Sequence, residues 1–215
     1  MARKTREEAE QTRNLLLDAA ERLFSERGVS KTTLADIAAE AGVTRGAVYW
    51  HFQNKLDVYR ALLYRITPLF DDFQSEMTRT AERDPALALW RHSVTLLSML
   101  STLPQLRRVL LILFLRSEHV DELAPIHDEC VAHMRESGEC LRGILQLAQA
   151  QGLLLPHVDC QEAALAVQAY HDGLINRWLL DPEHADLAGK SHRLLQYVYR
   201  AIFQPSVMAH LFTVD

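Results

Sequence analysis

Thr33-Leu34-Ala35-Asp36-Ile37-Ala38-Ala39-Glu40-Ala41-Gly42-Val43-Thr44-Arg45-Gly46-Ala47-Val48-Tyr49-Trp50-His51-Phe52-Gln53-Asn54-Lys55 reads as two short helices joined at a tight corner. Thr33 stands three residues before Asp36, a capping-box spacing, and opens a helix that carries Leu34, Ile37, Ala38 and Ala41 inward. Gly42 ends it, Val43 points back to the core, and Thr44 caps a second helix over residues 45–51. Gln53 and Asn54 then break the pattern, and Asn54 with Asp57 caps the next helix. In the turn Ala41-Gly42-Val43-Thr44, glycine permits a positive φ, and the small Ala38 and Ala41 allow a steep helix crossing. This describes a helix-turn-helix whose second helix stands proud and can enter a major groove. Its expected exposed set is Thr44, Arg45, Gly46, Tyr49, Trp50 and His51, with Val48 and Phe52 buried one turn apart.

Outward from this stretch the pattern stays helical. Upstream, Leu16, Ala19, Ala20, Leu23 and Phe24 recur at three- and four-residue steps between charges, an amphipathic helix over residues 8–27 with Gly28 as its stop. Downstream, helices are expected over residues 54–83, 85–103, 105–119 and 124–151, each bounded by Pro, Gly or a charge cluster. The chain has 215 residues, 48% of them hydrophobic, with only 8 glycines and 7 prolines, which excludes both a disordered chain and a loop-rich β architecture. The expected class is all-α, with a helix-turn-helix domain at residues 1–53 and a helical domain at 54–215.

The formal net charge of −5 argues against a nucleic-acid partner until it is divided. Residues 1–55 carry nine Lys/Arg and eight Asp/Glu, whereas residues 56–215 carry fourteen and twenty. Arg3, Lys4 and Arg6 precede the first acid, and Arg45, Lys55 and Arg60 oppose only Asp57 between residues 41 and 60, so phosphate contact is permitted locally. The longest apolar run, residues 109–115, is too short to span a bilayer, and no apolar segment follows the charged start, so the chain is expected to stay in the cytoplasm, off the membrane. Cys130, Cys140 and Cys160 are odd in number, lack a C-x-x-C pair, and read as free thiols.

At residues 33–55 the chain resembles the TetR family of bacterial transcriptional repressors, through I-A, A-G-V, G, Y-x-H-F and K at matching spacings. The likeness covers roughly the first 65 residues. The opening Ala2-Arg3-Lys4-Thr5-Arg6 and the run of residues 42–52 look like the AcrR-like branch, whose members control multidrug efflux pumps. The resemblance implies a repressor that binds double-stranded operator DNA as a homodimer and is released by a hydrophobic small-molecule inducer. No cofactor is expected, and no G-x-S-x-G, phosphate loop, H-E-x-x-H or Rossmann fingerprint suggests an enzyme.

The residues can be given physical jobs. Thr33, at a helix start, offers a hydroxyl and free N–H groups to a phosphate, or serves as a cap alone. Arg45 has the planar fork that fits guanine O6 and N7. Gly46 lets the backbone approach a base edge, a role the resemblance also implies. Tyr49 and Trp50 can pack on sugar and donate to phosphate, as the family's corresponding residues do, although one of them can equally belong to the core. His51 and Lys55 can clamp phosphates, Thr44 shares their surface, and Arg3, Lys4 and Arg6 form a basic arm for phosphates or the minor groove, or merely a tail.

Two carboxyl-terminal helices carry excess apolar surface. Ala163, Ala164, Val167, Tyr170, Leu174, Ile175, Trp178 and Leu179, then Leu194, Leu195, Tyr197, Val198, Ile202 and Phe203, make a candidate dimer seam, and in TetR relatives the last two long helices do this job. Between head and seam, Ile66, Phe70, Leu96, Leu97, Leu100, Leu110, Leu113, Phe114, Met134, Leu141 and Ile175 line either a solid core or a cavity for an apolar ligand, and composition does not choose. The resemblance favours the cavity. His171 and Asp172 are polar in an apolar run, so Asp172 needs a ligand or an internal Arg; it resembles a pocket aspartate of the efflux-repressor branch. Leu110 and Phe114 stand where relatives have polar pocket side chains, which makes this pocket drier. A rival reading takes His127, Cys130 and His133, with Asp128, Glu129 and His119, as metal ligands, but steps of three residues splay the outer pair by roughly 120° around a helix.

Overall fold

The computed structural model describes residues 6–118 and 123–212. Its regular elements are helices, beside one isolated antiparallel bridge between Leu154 and Phe203. In chain order they are α1 (Arg6–Arg27), α2 (Leu34–Glu40), α3 (Arg45–His51), α4 (Lys55–Tyr64), α5 (Thr67–Ala81), α6 (Pro85–Thr102), α7 (Pro104–Leu115), α8 (Ala124–Ala150), α9 (Cys160–Leu180), α10 (Pro182–Ala185), α11 (Leu187–Tyr199) and α12 (Pro205–Leu211). They gather into two compact units: residues 6–68 with 105–118 and 123–129, and residues 69–104 with 130–212. The boundary expected between residues 53 and 54 falls inside the first unit, which keeps α4 and also takes α7.

In the first unit α1 buries Leu16, Ala19, Ala20, Leu23 and Phe24, the stripe its periodicity predicts, and Leu17 beside them. Gly28 then turns the chain at φ 89°, and a side chain there would also crowd the Arg116 carbonyl, whose oxygen accepts from Val29 N–H at 2.9 Å. The α2 start is a complete capping box: Thr33 N–H donates to Asp36 Oδ2 at 2.8 Å and Asp36 N–H to Thr33 Oγ1 at 3.2 Å. Gly42, at φ 67°, closes α2 and Val43 N–H returns to Ala38 O at 3.0 Å. Thr44 caps α3 through Ala47 N–H, and Asn54 caps α4 through Asp57 N–H.

The fourth helix expected over residues 54–83 is two helices. Pro68 has no N–H, and its ring collides with the carbonyl four residues back, that of Tyr64. The chain tightens instead, with Arg65 N–H on Leu62 O and Ile66 N–H on Leu63 O, before α5 begins. The Arg65 side chain turns back to α1, donating to Asp18 Oδ1 at 2.6 Å and lying 3.8 Å from Glu21 Oε2. Glu21 is only 3% exposed, and α7 completes its cage: Arg108 Nε donates to Oε1 and Gln105 Nε2 to Oε2 at 3.4 Å. Beside it Leu106, Val109, Leu110 and Ile112 are buried, and Tyr59 OH donates to Ser117 Oγ at 3.0 Å.

The second unit is organised on α6. Trp90 is buried and meets the rings of His192, Tyr199 and Phe212 edge-on at 5.3–5.7 Å. The buried Tyr199 hydroxyl donates to Leu89 O at 2.6 Å and lies 2.7 Å from Ser93 Oγ. Asp159 caps α9 through Gln161 and Glu162 N–H, and Tyr170 OH ties α9 to Leu194 O at 2.8 Å. Most of the proposed seam is core of this unit: Ala163, Ala164, Val167, Ile175, Trp178, Leu179, Leu195, Ile202 and Phe203 are buried. Tyr170, Leu174, Leu194 and Val198 are half-buried, and Tyr197 is the one fully outward member. No single helix among the described residues is long and apolar enough to cross a membrane.

Glu21→Leu keeps the packing volume but strips two guanidinium groups of their common acceptor. Because the Arg108 side chain is half exposed and Arg65 retains Asp18, the expected loss is about 2–3 kcal/mol, below that of a fully buried pair. Urea unfolding measures it, and a change under about 0.5 kcal/mol would mean the cage adds nothing net.

Candidate nucleic-acid interface

α3 presents its side chains because only one edge of it is spent on the core. Val48 and the capping Phe52 are buried, with Arg13 over the Phe52 ring at 5.3 Å. Thr44, Arg45 and Gly46 are exposed, Tyr49 is half exposed and Trp50 is 72% exposed. Neither aromatic is core, which closes the alternative left open by the sequence. The Arg45 guanidinium lies over the Tyr49 ring at 5.8 Å, one turn along, so the fork is supported from beneath rather than loose. Trp50 meets the partly buried His51 edge-on at 4.5 Å. An uncovered indole of this size on a rigid helix is what a partner surface needs and a solvated one does not.

The flanks are arranged by the same unit. Lys55, at the first turn of α4, places Nζ 3.4 Å from Ser30 O. Arg6 opens α1 and is exposed; Arg3 and Lys4 lie outside the described residues. Of the two jobs weighed for Thr33, the cap is observed: its hydroxyl donates to Asp36 Oδ2 at 2.6 Å as well as accepting from Asp36 N–H. Those Thr33 hydrogen bonds hold the Asp36 carboxyl below the usual carboxylate range, so an anion already occupies that helix start.

The effector candidates divide between the units. In the first, Ile66 and Leu110 are buried, Leu113 is half-buried and Phe114 is exposed. In the second, Leu97, Leu100, Leu141, His171 and Ile175 are buried, Phe70, Leu96 and Asp172 are half-buried, and Met134 is half exposed, which leaves it on the surface. No Arg or Lys among the described residues pairs with Asp172, and burial raises its carboxyl above the usual range. An open groove between α5 and α8 is polar, lined among others by Asp71, Arg79, Glu82, His133 and Glu136, and none of the candidates lines it.

The sequence reading missed His92. It sits on α6, stacked on Phe73 of α5 at 4.3 Å and 20°. His92 Nδ1 and His171 Nε2 are both buried with no hydrogen-bond partner among the described residues. Burial lowers His92 to about 4, and burial followed by the charge of His92 lowers His171 to about 3. Helical spacing gives a histidine no special signal on an apolar face. None of Cys130, Cys140 and Cys160 is in a disulfide, and Cys160 donates to Gln149 Oε1 at 3.5 Å. Among the described residues no group of three or more His, Cys, Asp or Glu could hold a metal ion, and His119 lies outside them.

Comparison with known proteins places this geometry. Residues 16–62 match the family model "Bacterial regulatory proteins, tetR family", and residues 84–203 match "MAATS-type transcriptional repressor, C-terminal region". The regulator TtgR of Pseudomonas putida is 41% identical over 194 residues, covering 88% of this chain and 90% of TtgR. The crystal structure of NalD, the secondary repressor of the MexAB-OprM multidrug efflux pump in Pseudomonas aeruginosa, superposes with a TM-score of 0.85 at 33% identity. That match covers 93% of this chain and 100% of NalD. SmeT, repressor of the SmeDEF pump of Stenotrophomonas maltophilia, matches in its complex with triclosan with a TM-score of 0.73 at 32% identity, over 92% of this chain and 94% of SmeT.

The two imidazoles make stability depend on pH with a definite sign. Unfolded, each binds a proton near pH 6.5; folded, they do so only near 4 and 3, so between these limits the unfolded chain holds more protons. Stability therefore falls as the pH drops from about 6.5 towards 4, by up to about 1.4 kcal/mol per pH unit for each group. Urea midpoints at pH 7 and pH 5 test this, with His171→Val expected to halve the slope; a flat wild-type profile contradicts it.

Proposed function

The chain belongs to the TetR family of bacterial regulatory proteins, and from that membership we propose that it represses a multidrug efflux operon and leaves its operator when a hydrophobic small molecule binds the second unit. The observation that carries the DNA-binding half is the outward face of α3, where Arg45, Gly46, Tyr49 and Trp50 stand together on a helix anchored by Val48 and Phe52. Arg45 reads guanine from the major groove, Gly46 admits the backbone to a base edge, and Tyr49, Trp50, His51 and Lys55 hold the flanking phosphates, with Thr33 and Thr44 at the helix starts beside them. Arg3, Lys4 and Arg6 extend the phosphate contact along the strand.

One such head reads half a site, and useful discrimination needs two. The second head comes from a second copy of the chain, joined through α9 and α11. Leu165, Leu180 and Tyr197 are large apolar side chains left outward there, 65%, 61% and 75% exposed, and Ala166, Ala169 and Gly173 between them allow a close helix approach. The efflux assignment follows what the NalD and SmeT relatives are named for, and the triclosan complex of SmeT supports an apolar effector. The half-buried Asp172 and the apolar residues of α6, α8 and α9 supply its surroundings. An effector with different affinity for the DNA-fitting and non-fitting arrangements of the dimer shifts the population away from the operator, by no more than that difference allows.

Binding to the chain's own upstream promoter and to scrambled duplex separates the roles. Arg45→Ala should cost about 1–3 kcal/mol on the operator and reduce the operator-to-scrambled ratio, whereas Lys55→Ala should weaken both duplexes alike and lower the salt slope by about one. An unchanged ratio in Arg45→Ala counts against base reading. Leu165→Arg should convert the dimer to monomer by light scattering and abolish tight operator binding; an intact dimer places the seam elsewhere.

A further inference from the structure

Resting on the sensing role proposed for the second unit, we propose that His92 and His171 form a paired site for the acidic group of an apolar weak acid, bound with the uptake of one proton. The two imidazoles come from neighbouring helices, α6 and α9, and each turns a nitrogen with no partner among the described residues into the interior. A buried polar atom without a hydrogen bond is uncommon in folded proteins, and two in one cluster call for a partner supplied from outside the fold. Phe73 stacked on His92 and Ile175 one turn from His171 give the site apolar walls. These favour a ligand whose body is hydrocarbon.

The polar end of that ligand is set by what the site lacks. It holds two bases and no acid. Burial alone depresses His92, and burial with His92 depresses His171. No other titratable or charged group contributes to either shift: not Asp71, Asp72 or Glu76 on α5, Arg91 on α6, Glu139 or Arg142 on α8, Asp172 or Arg177 on α9, Lys190, His192 or Arg193 on α11, nor His210 on α12. A permanent cation would add charge that neither imidazole balances, and the half-buried Asp172 carboxyl acts on neither of them. A carboxylate brings the missing negative charge, one imidazole takes a proton from water, and the buried pair is neutral overall, with the second imidazole free to donate to the other oxygen. Binding is then tighter at lower pH until the free acid itself becomes protonated.

The test uses the full-length protein, 2-naphthoate as the acid and 2-naphthamide as its uncharged match. Calorimetry in phosphate and in Tris counts protons. One proton taken up per naphthoate, with affinity rising about tenfold per unit as the pH falls from about 8 to 6, and neither effect with the amide, supports the site. His92→Gln and His171→Gln should each abolish the proton uptake and weaken naphthoate at least about tenfold while leaving the amide within about threefold; should either variant lose its helical circular dichroism, the wild-type comparison of acid and amide decides alone. Naphthoate binding without proton uptake, an amide bound as tightly at pH 6, or no naphthoate binding overturns the proposal. Naphthoate bound with its proton but without effect on operator affinity would overturn the sensing role and leave the acid site standing. Operator release by an uncharged or cationic drug, with no naphthoate binding, does the reverse.

Discussion

A single buried carboxylate, that of Glu21, sets the terms for the first unit. A charge taken out of water must be met on the spot, and α1 has nothing of its own to meet it with. Arg65, at the corner after α4, and Arg108 and Gln105, on α7, converge on it from two separate parts of the chain. Pro68 stops the helix, and these contacts tie the corner after α4, and α7, to α1. α2 packs on α1, and the Gly42 corner sets the direction in which α3 leaves it. Hydrophobic burial along Leu16, Leu17, Leu23 and Phe24 supplies the larger share of the attraction, but it is tolerant of small slides. The ion cluster is not, and directional contact of this kind is what a reading helix needs from its support.

What could be read from the sequence was mostly what is decided within four or five residues. The bounds of α3 follow from Thr44 and Phe52, the start of α2 from Thr33 and Asp36, and the start of α4 from Asn54 and Asp57; each is a side chain meeting a backbone N–H nearby. The outward set on α3 was legible for the same reason, since a seven-residue helix and its capping Phe52 leave few ways to bury Val48 and Phe52 together. Pro68 is equally legible, although an otherwise good apolar pattern runs through it. The membership of α7 in the first unit was not, because it depends on contacts made across more than eighty positions of chain. Nor was the fate of the apolar residues on α9, where periodicity marks hydrophobic faces without saying which one the chain covers itself and which it leaves for another molecule.

The histidines show a different limit. His171 stands out in the sequence because it sits in an apolar run, whereas His92 lies between the polar Arg91 and Ser93. Its significance arises from depth: the same side chain on the outer face of α6 would be an ordinary surface imidazole. The two units thus use polar groups in opposite ways. In the first, buried charge is matched within the chain and stiffens it; in the second, the buried Tyr199 hydroxyl is matched but two imidazole nitrogens are not, which is a poor way to build a core and a good way to select what enters one.

The first unit is assembled from discontinuous chain, with residues 105–118 and 123–129 closing on residues 6–68 after an excursion through α5 and α6. Recombination between relatives is therefore constrained. A chimera cut once, after the helix-turn-helix or after α4, would set one parent's Glu21 against the other parent's α7 and mismatch the cage. Exchanging the segment around Arg108 together with the head keeps acceptor and donors from the same ancestor, so inheritance of DNA specificity in this chain is tied to a stretch of sequence that never approaches the operator motif in the primary structure.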